Sequence, residues 1–308
     1  MPSPSKRIVV AVNPAASFGR TRGAGPQVVD ALRADGHEVT VLNEASFEEL
    51  RQVAASCVGI GRLGVERDLI DVLVVVGGDG MVSLGANLLA GTSVPLGIIP
   101  TGTGNDMARG LGIPLGETTA AIEHLRESLR GEPRRIDLGL IRHKAGQTYF
   151  AGVLSAGFDA LVNERANRMR WPRGASRYIL AMLAELLMLR PREYDIEVDG
   201  IPVRLRATLL AAANNIALGG GMLITPDARL DDGELDLFVL APIGRLRFLK
   251  LFPSVFKGAH TGFSEVDIAR VRRVRIACEG VVAYADGERV GPLPVTVEVA
   301  PGALLVLA

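Results

Sequence analysis

Short, unbroken apolar runs alternate with amphipathic segments through the first part of the chain. Arg7 to Val12 (RIVVAV) has the pattern of a buried strand, and the turn-prone pair Asn13-Pro14 leads from it to a helix that begins near Pro26 and closes at Gly36. A second strand follows over Val39 to Leu42. Ser46 to Cys57 is a helix opened by a capping box, Ser46 with Glu49. Val72 to Val76 is a continuous β-branched and Leu run of the kind that parallel sheets bury on both faces, and it stops at Gly77-Gly78-Asp79-Gly80. Met81 to Ala90 is helical and Pro95 to Ile99 a strand; Thr101 to Asn105 is a second glycine loop entering a short helix at Asp106, and Glu117 to Leu129 is a helix. Such alternation builds a parallel sheet through right-handed crossovers, with ligands gathering at the carboxyl ends of the strands. Both glycine loops sit at such ends.

Near Arg134 the rhythm changes. Arg134 to Arg142 and Gln147 to Leu154 are strands joined by a short turn with no helix between them. Further strands are predicted near Asp195 to Val198, Val203 to Ala213, Leu235 to Leu240, Arg272 to Ala277, Val281 to Tyr284, Val295 to Val299 and Leu304 to Leu307, with one very apolar helix over Ala175 to Leu189. Hairpins dominate, so this half reads as mainly antiparallel. At about 150 residues per domain the 308 residues suggest two domains. The expectation is an α/β domain over residues 6–134 and an antiparallel one over 135–299.

Composition narrows the function classes. Lys and Arg number 34 against 34 Asp and Glu, so no polyanion-binding surface is implied and nucleic acid is not expected as a partner. The longest nearly apolar stretch, Tyr178 to Leu189, is interrupted by Glu185 and falls short of the roughly 18 to 20 residues of a membrane-spanning helix. Met1 to Lys6 lacks the apolar centre of a signal peptide. Cys57 and Cys278 have no metal spacing and are expected as buried thiols in a reducing cytosol. Glycine, at 36 of 308 residues against a usual ~7%, has no repeat period and gathers in loops that need bare backbone.

Glycines after a buried strand and before a helix let the backbone approach phosphate oxygens, while the helix N-terminus supplies N–H groups and positive potential. Asp79 in such a loop would repel a bare phosphate, and makes sense as a direct or water-mediated ligand for the Mg²⁺ that accompanies a nucleotide. A plain strand-to-helix turn with Asp79 as N-cap is the alternative. The second loop, Pro100 to Asp106, repeats the idea, and Asn105 or Asp106 could equally cap the next helix. There is no Gly-x-x-x-x-Gly-Lys-Ser/Thr, so a P-loop NTPase is rejected; Gly59 to Gly64 matches a dinucleotide fingerprint but follows a helix and reads as a linker. His37, His124, His143 and His260 show no metal or triad spacing and are read as surface or packing residues.

Asn13-Pro14, Gly77-Gly78-Asp79-Gly80, Gly102-Thr103-Gly104-Asn105-Asp106 with Ala108-Arg109, and Ile136-Asp137-Leu138-Gly139 resemble, in order and spacing, the bacterial diacylglycerol kinase and lipid kinase family, relatives of sphingosine kinases. Asn214-Asn215, Gly219-Gly220-Gly221-Met222, Thr225-Pro226-Asp227-Ala228, Leu230-Asp231-Asp232-Gly233 and Asp286-Gly287-Glu288 resemble its C-terminal landmarks. The resemblance implies an NAD-kinase-like and diacylglycerol-kinase-like nucleotide domain facing a β-sandwich lipid-substrate domain, with residues 300–308 returning to the first. It implies ATP on Asn13, Gly77, Gly78, Asp79, Gly80, Gly102, Thr103, Asn105 and Asp106, and catalytic Mg²⁺ held through water by Asp79, Asp106 and Asp137. Asp286 takes the position of the catalytic acid that accepts the lipid hydroxyl's proton, with Glu288 and Asp137 tuning its charge. A second, structural Mg²⁺ would sit on the Asp232 carboxylate and main-chain oxygens near Arg229 and Glu234. Read alone, Asp286-Gly287 is a β-hairpin turn and Asp231-Asp232-Gly233 a solvated turn.

One departure is Met81, where the family most often has Thr; near the adenine pocket, Asn43 stands about where another Thr is usual. Arg245 to Lys257 (RLRFLKLFPSVFK) has the composition of an interfacial docking segment, although an amphipathic helix packed on the sandwich fits too. The Ala175 to Leu189 helix is either core or a wall of an acyl-chain cleft. The expected activity is ATP-dependent phosphorylation of a lipid hydroxyl, diacylglycerol to phosphatidic acid, by a cytoplasmic protein touching the inner face of the membrane. A catalytically silent nucleotide- or lipid-binding protein and an NAD kinase are the alternatives, and the oligomeric state, a homodimer included, stays open.

Overall fold

The computed structural model describes residues 4–13, 23–59, 70–169, 171, 180–181, 184–185, 188 and 190–308, in two compact units: Met1–Leu138 with Gly302–Ala308, and Gly139–Pro301. In the first unit β1 (Arg7–Val12), β2 (Glu38–Leu42), β3 (Val72–Gly77) and β4 (Leu96–Pro100) form a parallel sheet in the order β2-β1-β3-β4. Val306 and Leu307 continue it in parallel beside Leu96 and Gly97. Around it lie α1 (Ala24–Ala34), α2 (Phe47–Cys57), α3 (Asp79–Leu89), α4 (Asp106–Gly110) and α5 (Thr118–Ser128).

Every residue of β3 is buried because the strand is covered on both faces. Val72, Val74 and Val76 join Val28 and Leu32 of α1 and Ile122 and Leu125 of α5 in one core. On the other side α3 packs on β3 and α2 on β1. Each such side chain contributes about 1.5–3 kcal/mol, which fixes the strand ends that carry the glycine loops. The capping box on α2 is complete: the Ser46 hydroxyl accepts the Glu49 N–H at 3.2 Å and the Glu49 carboxylate accepts the Ser46 N–H at 3.2 Å. Ser46→Ala should therefore cost about 1 kcal/mol in urea denaturation, and an unchanged midpoint would contradict that role.

The chain enters the second unit within β5 (Arg134–His143) and leaves it within β16 (Val295–Leu307). Between them come β6 (Gly146–Phe150), β7 (Val153–Gly157), α6 (Phe158–Arg168), β8 (Arg192–Val198), β9 (Ile201–Ala207), β10 (Leu209–Ala213), β11 (Leu235–Leu240), α7 (Arg245–Val255), β12 (Val266–Val271), β13 (Arg273–Ala277), β14 (Val282–Ala285) and β15 (Glu288–Pro292). One antiparallel sheet runs β12-β11-β10-β7-β14-β15; opposite it are β9-β8-β13 and the first residues of β16. Leu154, Ala156, Leu210, Ala212 and Leu237 point into the sandwich with Tyr194, Ile196, Val274 and Val297. Their neighbours of opposite parity, Val153, Leu209, Ala211 and Phe238, pack under Phe158 and Val162 of α6 and Phe248 and Leu251 of α7. The six-stranded sheet is thus buried on both faces, which makes β7 and β10 unbroken apolar runs.

Two predicted strands are each split. Gln147 to Leu154 divides at Ala151-Gly152, and Val203 to Ala213 divides at Thr208, because at both points the chain crosses from one sheet of the sandwich to the other. β12 and β15 were not predicted, the pair Val295 to Val299 and Leu304 to Leu307 is one strand, and α7 runs on through Pro253. The predicted Ala175 to Leu189 helix lies largely outside the described residues, as do Pro14 and residues 60–64 of the linker. The cysteines are half-buried free thiols rather than fully buried ones, and burial pushes both up from their ordinary value.

His260 is fully buried, its Nε2 donating to the Ile224 carbonyl at 2.9 Å with the Phe238 ring alongside. Burial holds its pKa below the ordinary 6.5, so protonation favours the unfolded chain. The stabilisation is complete above pH 6.5 and is lost as pH falls below it. His260→Gln should flatten the acid limb of a Tm-versus-pH curve; an unchanged slope would contradict this.

Candidate active site

The two glycine loops of the first unit meet at the ends of β3 and β4. The Thr101 N–H donates to the Gly77 carbonyl at 2.9 Å, prolonging the strand pairing into the loops. Beyond it the backbones touch: a Cβ on Gly102 would lie 2.5 Å from the Gly78 Cα, and one on Gly78 would lie 3.1 Å from the Gly102 Cα. A Cβ at Gly102 would collide with backbone, and one at Gly78 would press closer than ordinary contact. Asn105, in the left-handed region at φ 52°, ties its own loop with its side chain, accepting the Gly102 N–H at 3.0 Å and donating to the Gly102 carbonyl at 2.8 Å.

Asp79 does not cap its own helix. Gly78 is the N-cap of α3, with no side chain bonded to its amides, and the Asp79 carboxylate reaches across to accept the Met107 N–H at 3.3 Å, at the start of α4. One carboxylate thus latches the second loop to the first. Burial, then the neighbouring Asp106 carboxylate, raise the Asp79 pKa against the opposing N–H donors of Met107, Asp106 and Asn105. Asp106 is buried and Thr103 exposed. Two mutually repelling carboxylates beside the starts of α3 and α4 are donors that suit a hydrated divalent cation. Asp137, buried on β5, accepts the Gly302 N–H at 2.6 Å. Among the described residues no three His, Cys, Asp or Glu side chains gather as a metal centre. Met81 is buried against Gly77, where a Cβ would lie 2.4 Å from the Met81 Cγ. Asn13 continues β1, its N–H donating to the Val76 carbonyl at 3.1 Å.

In the second unit, Asp286 and Gly287 form the two-residue turn between β14 and β15, with φ 49° and 82°, the both-positive pattern of a type I′ hairpin. The turn sets its carboxylate on the break between β6 and β7. Oδ2 accepts the Ala151 N–H at 2.8 Å, and Oδ1 accepts those of Gly152 and Val153 at 2.9 and 3.1 Å. A side chain at Gly152 would put its Cβ 2.7 Å from Oδ1. Asn214 closes the arrangement from β10's end, its N–H donating to the Gly152 carbonyl at 2.8 Å and its Nδ2 to the Ala151 carbonyl at 3.0 Å. The amides at the crossing that splits the predicted strand are therefore the ones that hold Asp286. No periodicity signals that break. Glu288 is exposed at the start of β15 and pairs in register with Ala285.

The Asp232 carboxylate accepts the Glu234 N–H at 3.2 Å and pairs with Arg270 at 3.3 Å, while Arg229 pairs with Asp231 at 3.7 Å. A guanidinium therefore already stands beside Asp232. Burial, offset by Arg270, pushes nearby Asp236 up to about 6, leaving it ionised at neutral pH. A wholly apolar cavity of about 80 Å³ lies at the far end of β7, lined among others by Phe158, Leu209, Met222, Phe238, Phe248 and Phe252.

Comparison with known proteins matches residues 7–141 to the family described as the diacylglycerol kinase catalytic domain, and residues 152–308 to the YegS C-terminal NAD kinase beta sandwich-like domain. A diacylglycerol kinase of Mycobacterium tuberculosis is 39% identical over 303 residues, 98% of this chain and 94% of the relative. A crystal structure of a diacylglycerol kinase from Bacillus anthracis aligns with TM-score 0.72 at 19% identity, covering 99% of this chain and 98% of that one. An NAD kinase from Archaeoglobus fulgidus in complex with ATP aligns with TM-score 0.55 at 17% identity, covering 98% and 93%. Both structural likenesses speak to the fold alone.

Proposed function

This chain belongs to the diacylglycerol kinase catalytic domain family and is a lipid kinase, and from that premise we propose that it converts diacylglycerol to phosphatidic acid with the γ-phosphate of ATP. The observation that carries the choice of acceptor is β7. Its first residue helps hold the Asp286 carboxylate, and the residue following its last, Phe158, lines the apolar cavity. At ~3.3 Å per residue the two features are about 16 Å apart along one strand, a span that suits a reacting hydroxyl at one end and an acyl chain at the other.

Asn13, Gly77 to Gly80, Gly102, Thr103 and Asn105 are assigned to the nucleotide, whose phosphates are placed against the glycine loop at the start of α3. Asp79, Asp106 and Asp137 would hold Mg²⁺ through water, and the bound ion would neutralise charge on the β- and γ-phosphates. Asp286 accepts the proton of the lipid hydroxyl while the oxygen bonds to the γ-phosphorus and the bond to the β-phosphate oxygen breaks, releasing ADP. Glu288, two residues on, adds negative charge beside the turn. The arrangement at Asp232, already paired with Arg270, fits a structural metal poorly, and no role for one is derived. Mixed micelles of diacylglycerol with Mg²⁺ and ATP should yield phosphatidic acid; ATP hydrolysis without a phosphorylated lipid would overturn the proposal.

Membrane contact is assigned to α7. It buries Phe248 and Leu251 beside the cavity and exposes Leu246, Leu249 and the following Phe256 among Arg245, Lys250 and Lys257. Among the described residues no helix is long and apolar enough to cross a membrane, so the contact would be peripheral. Leu246→Glu with Leu249→Glu should reduce co-sedimentation with anionic vesicles several-fold without unfolding the chain, and equal sedimentation would refute this surface.

A further inference from the structure

We propose that Glu164 of α6 is a positioning residue for phosphate transfer, gripping the neck of the β14–β15 hairpin so that its turn keeps the Asp286 carboxylate in place. The inference rests on Asp286 being the proton acceptor. Every residue it involves belongs to the second unit.

The hairpin has a weak point next to its turn. Ala283 pairs with Gly291 but Tyr284 pairs with Arg289, so Val290 is the extra residue of a β-bulge. Beyond the bulge stand the pairs Tyr284 with Arg289 and Ala285 with Glu288, and then the turn at Asp286-Gly287. β14 is supported on its other side by β7, where Tyr284 and Ala285 pair with Ser155 and Leu154, whereas β15 is the edge of the sheet. A bulge interrupts the ladder and bends its strand, which leaves the outer strand of the turn short of support within the sheet.

Glu164 supplies that support from outside. Its Oε2 accepts the Tyr284 hydroxyl at 2.7 Å and the Arg289 Nε–H at 3.3 Å, bridging the first pair beyond the bulge, while Oε1 accepts from Arg168 at 2.7 Å. The two groups on the hairpin lie one on each strand, two residues before Asp286 and three after it. Tyr284 reaches α6 because side chains alternate along a strand: Ala283 and Ala285 point into the sandwich, and the buried ring between them faces the other way. At about 100° per residue, Phe158 and Val162 lie on the side of α6 roughly opposite Glu164, and they are buried with Phe248 and Leu251 of α7. The helix that carries Glu164 is therefore itself anchored. Hydrogen bonding from Tyr284, against burial and with help from Arg168 and Arg289, holds the Glu164 carboxyl below its ordinary 4.5, so the grip is a charged one at neutral pH.

The test compares Glu164→Ala, Tyr284→Phe, Asp286→Asn and the double variant Glu164→Ala with Asp286→Asn in kcat and KM for diacylglycerol, and in amide hydrogen exchange. Glu164→Ala should lower kcat about ten- to a hundred-fold, the cost of a misplacement near 1 Å, with KM within about two-fold. Tyr284→Phe keeps the buried ring and should lower kcat in the same direction, a second reading should Glu164→Ala fold poorly. In the Asp286→Asn background Glu164→Ala should cost less than about two-fold, because a residue that acts through Asp286 then has nothing left to position. Exchange at Ala151, Gly152 and Val153, whose N–H groups the Asp286 carboxylate accepts, should quicken about ten-fold in Glu164→Ala, whichever lipid is phosphorylated. Unchanged kcat in both single variants, a loss confined to KM, an equal fractional loss with and without the Asp286 carboxylate, or unchanged exchange would each overturn the inference. A rate kept in Asp286→Asn alone would instead overturn the base assignment, and the inference with it.

Discussion

Asp286→Asn is expected to lower lipid phosphorylation by about 10²- to 10⁴-fold, the range that a positioned proton acceptor contributes. The substitution also disturbs the local structure in a definable way. The carboxylate offers one oxygen to Ala151 and the other to Gly152 and Val153. A carboxamide keeps a single acceptor oxygen, so its NH₂ would confront an amide N–H and leave it unsatisfied, at about 1–3 kcal/mol. A drop in Tm should therefore accompany the loss of rate. ATP affinity separates the two effects. The nucleotide is assigned to the first unit and Asp286 belongs to the second, so ATP should bind the variant within about two-fold of the unsubstituted protein. A variant that keeps a tenth or more of the rate would remove Asp286 from the base role.

The second large effect is structural. Gly102→Ala would place a methyl 2.5 Å from the Gly78 Cα and 2.9 Å from the Asn105 Oδ1. Both obstacles are held in place, one by backbone and the other by the loop's own hydrogen bonds, so the loops must part. Overpacking of this kind costs about 1–3 kcal/mol. Parting also stretches the bond from the Met107 N–H to Asp79 and moves Asp79 and Asp106 out of their shared geometry, so activity should fall at least about 100-fold. Gly80→Ala is the matched control for stability, since a Cβ there meets nothing within 4 Å and its φ is not positive. Equal losses of Tm in the two variants would show that loop contact is not what Gly102 provides.

The parallel sheet was readable because β3 is buried on both faces and so appears as an uninterrupted apolar run ending in glycines. The capping box on α2 was readable because it depends on two residues three apart. The sandwich was harder. A strand that crosses between sheets keeps its apolar pattern, so nothing in Gln147 to Leu154 marks Ala151-Gly152 as the place where amides turn toward a carboxylate 134 residues away. β15 (ERVGP) escaped because Gly291 and Pro292 read as turn residues, and β12 because three of its six residues are exposed. The turn at Asp286-Gly287 was visible, but what it presents the carboxylate to was not. Asp79 was legible as an acidic residue in a glycine loop, whereas its attachment to α4 is a contact between loops 28 residues apart.

The central claim, transfer of phosphate from ATP to the hydroxyl of diacylglycerol, is tested most directly by following labelled γ-phosphate from ATP into a panel of acceptors. The panel should contain diacylglycerol, other hydroxylated lipids and NAD, each with Mg²⁺, at equal accessible concentration. The account predicts labelled phosphatidic acid as the main product and no labelled NADP. Label on another lipid alone would contradict the assignment of diacylglycerol, and label on NAD, or on no acceptor despite measured ATP binding, would contradict the account as a whole.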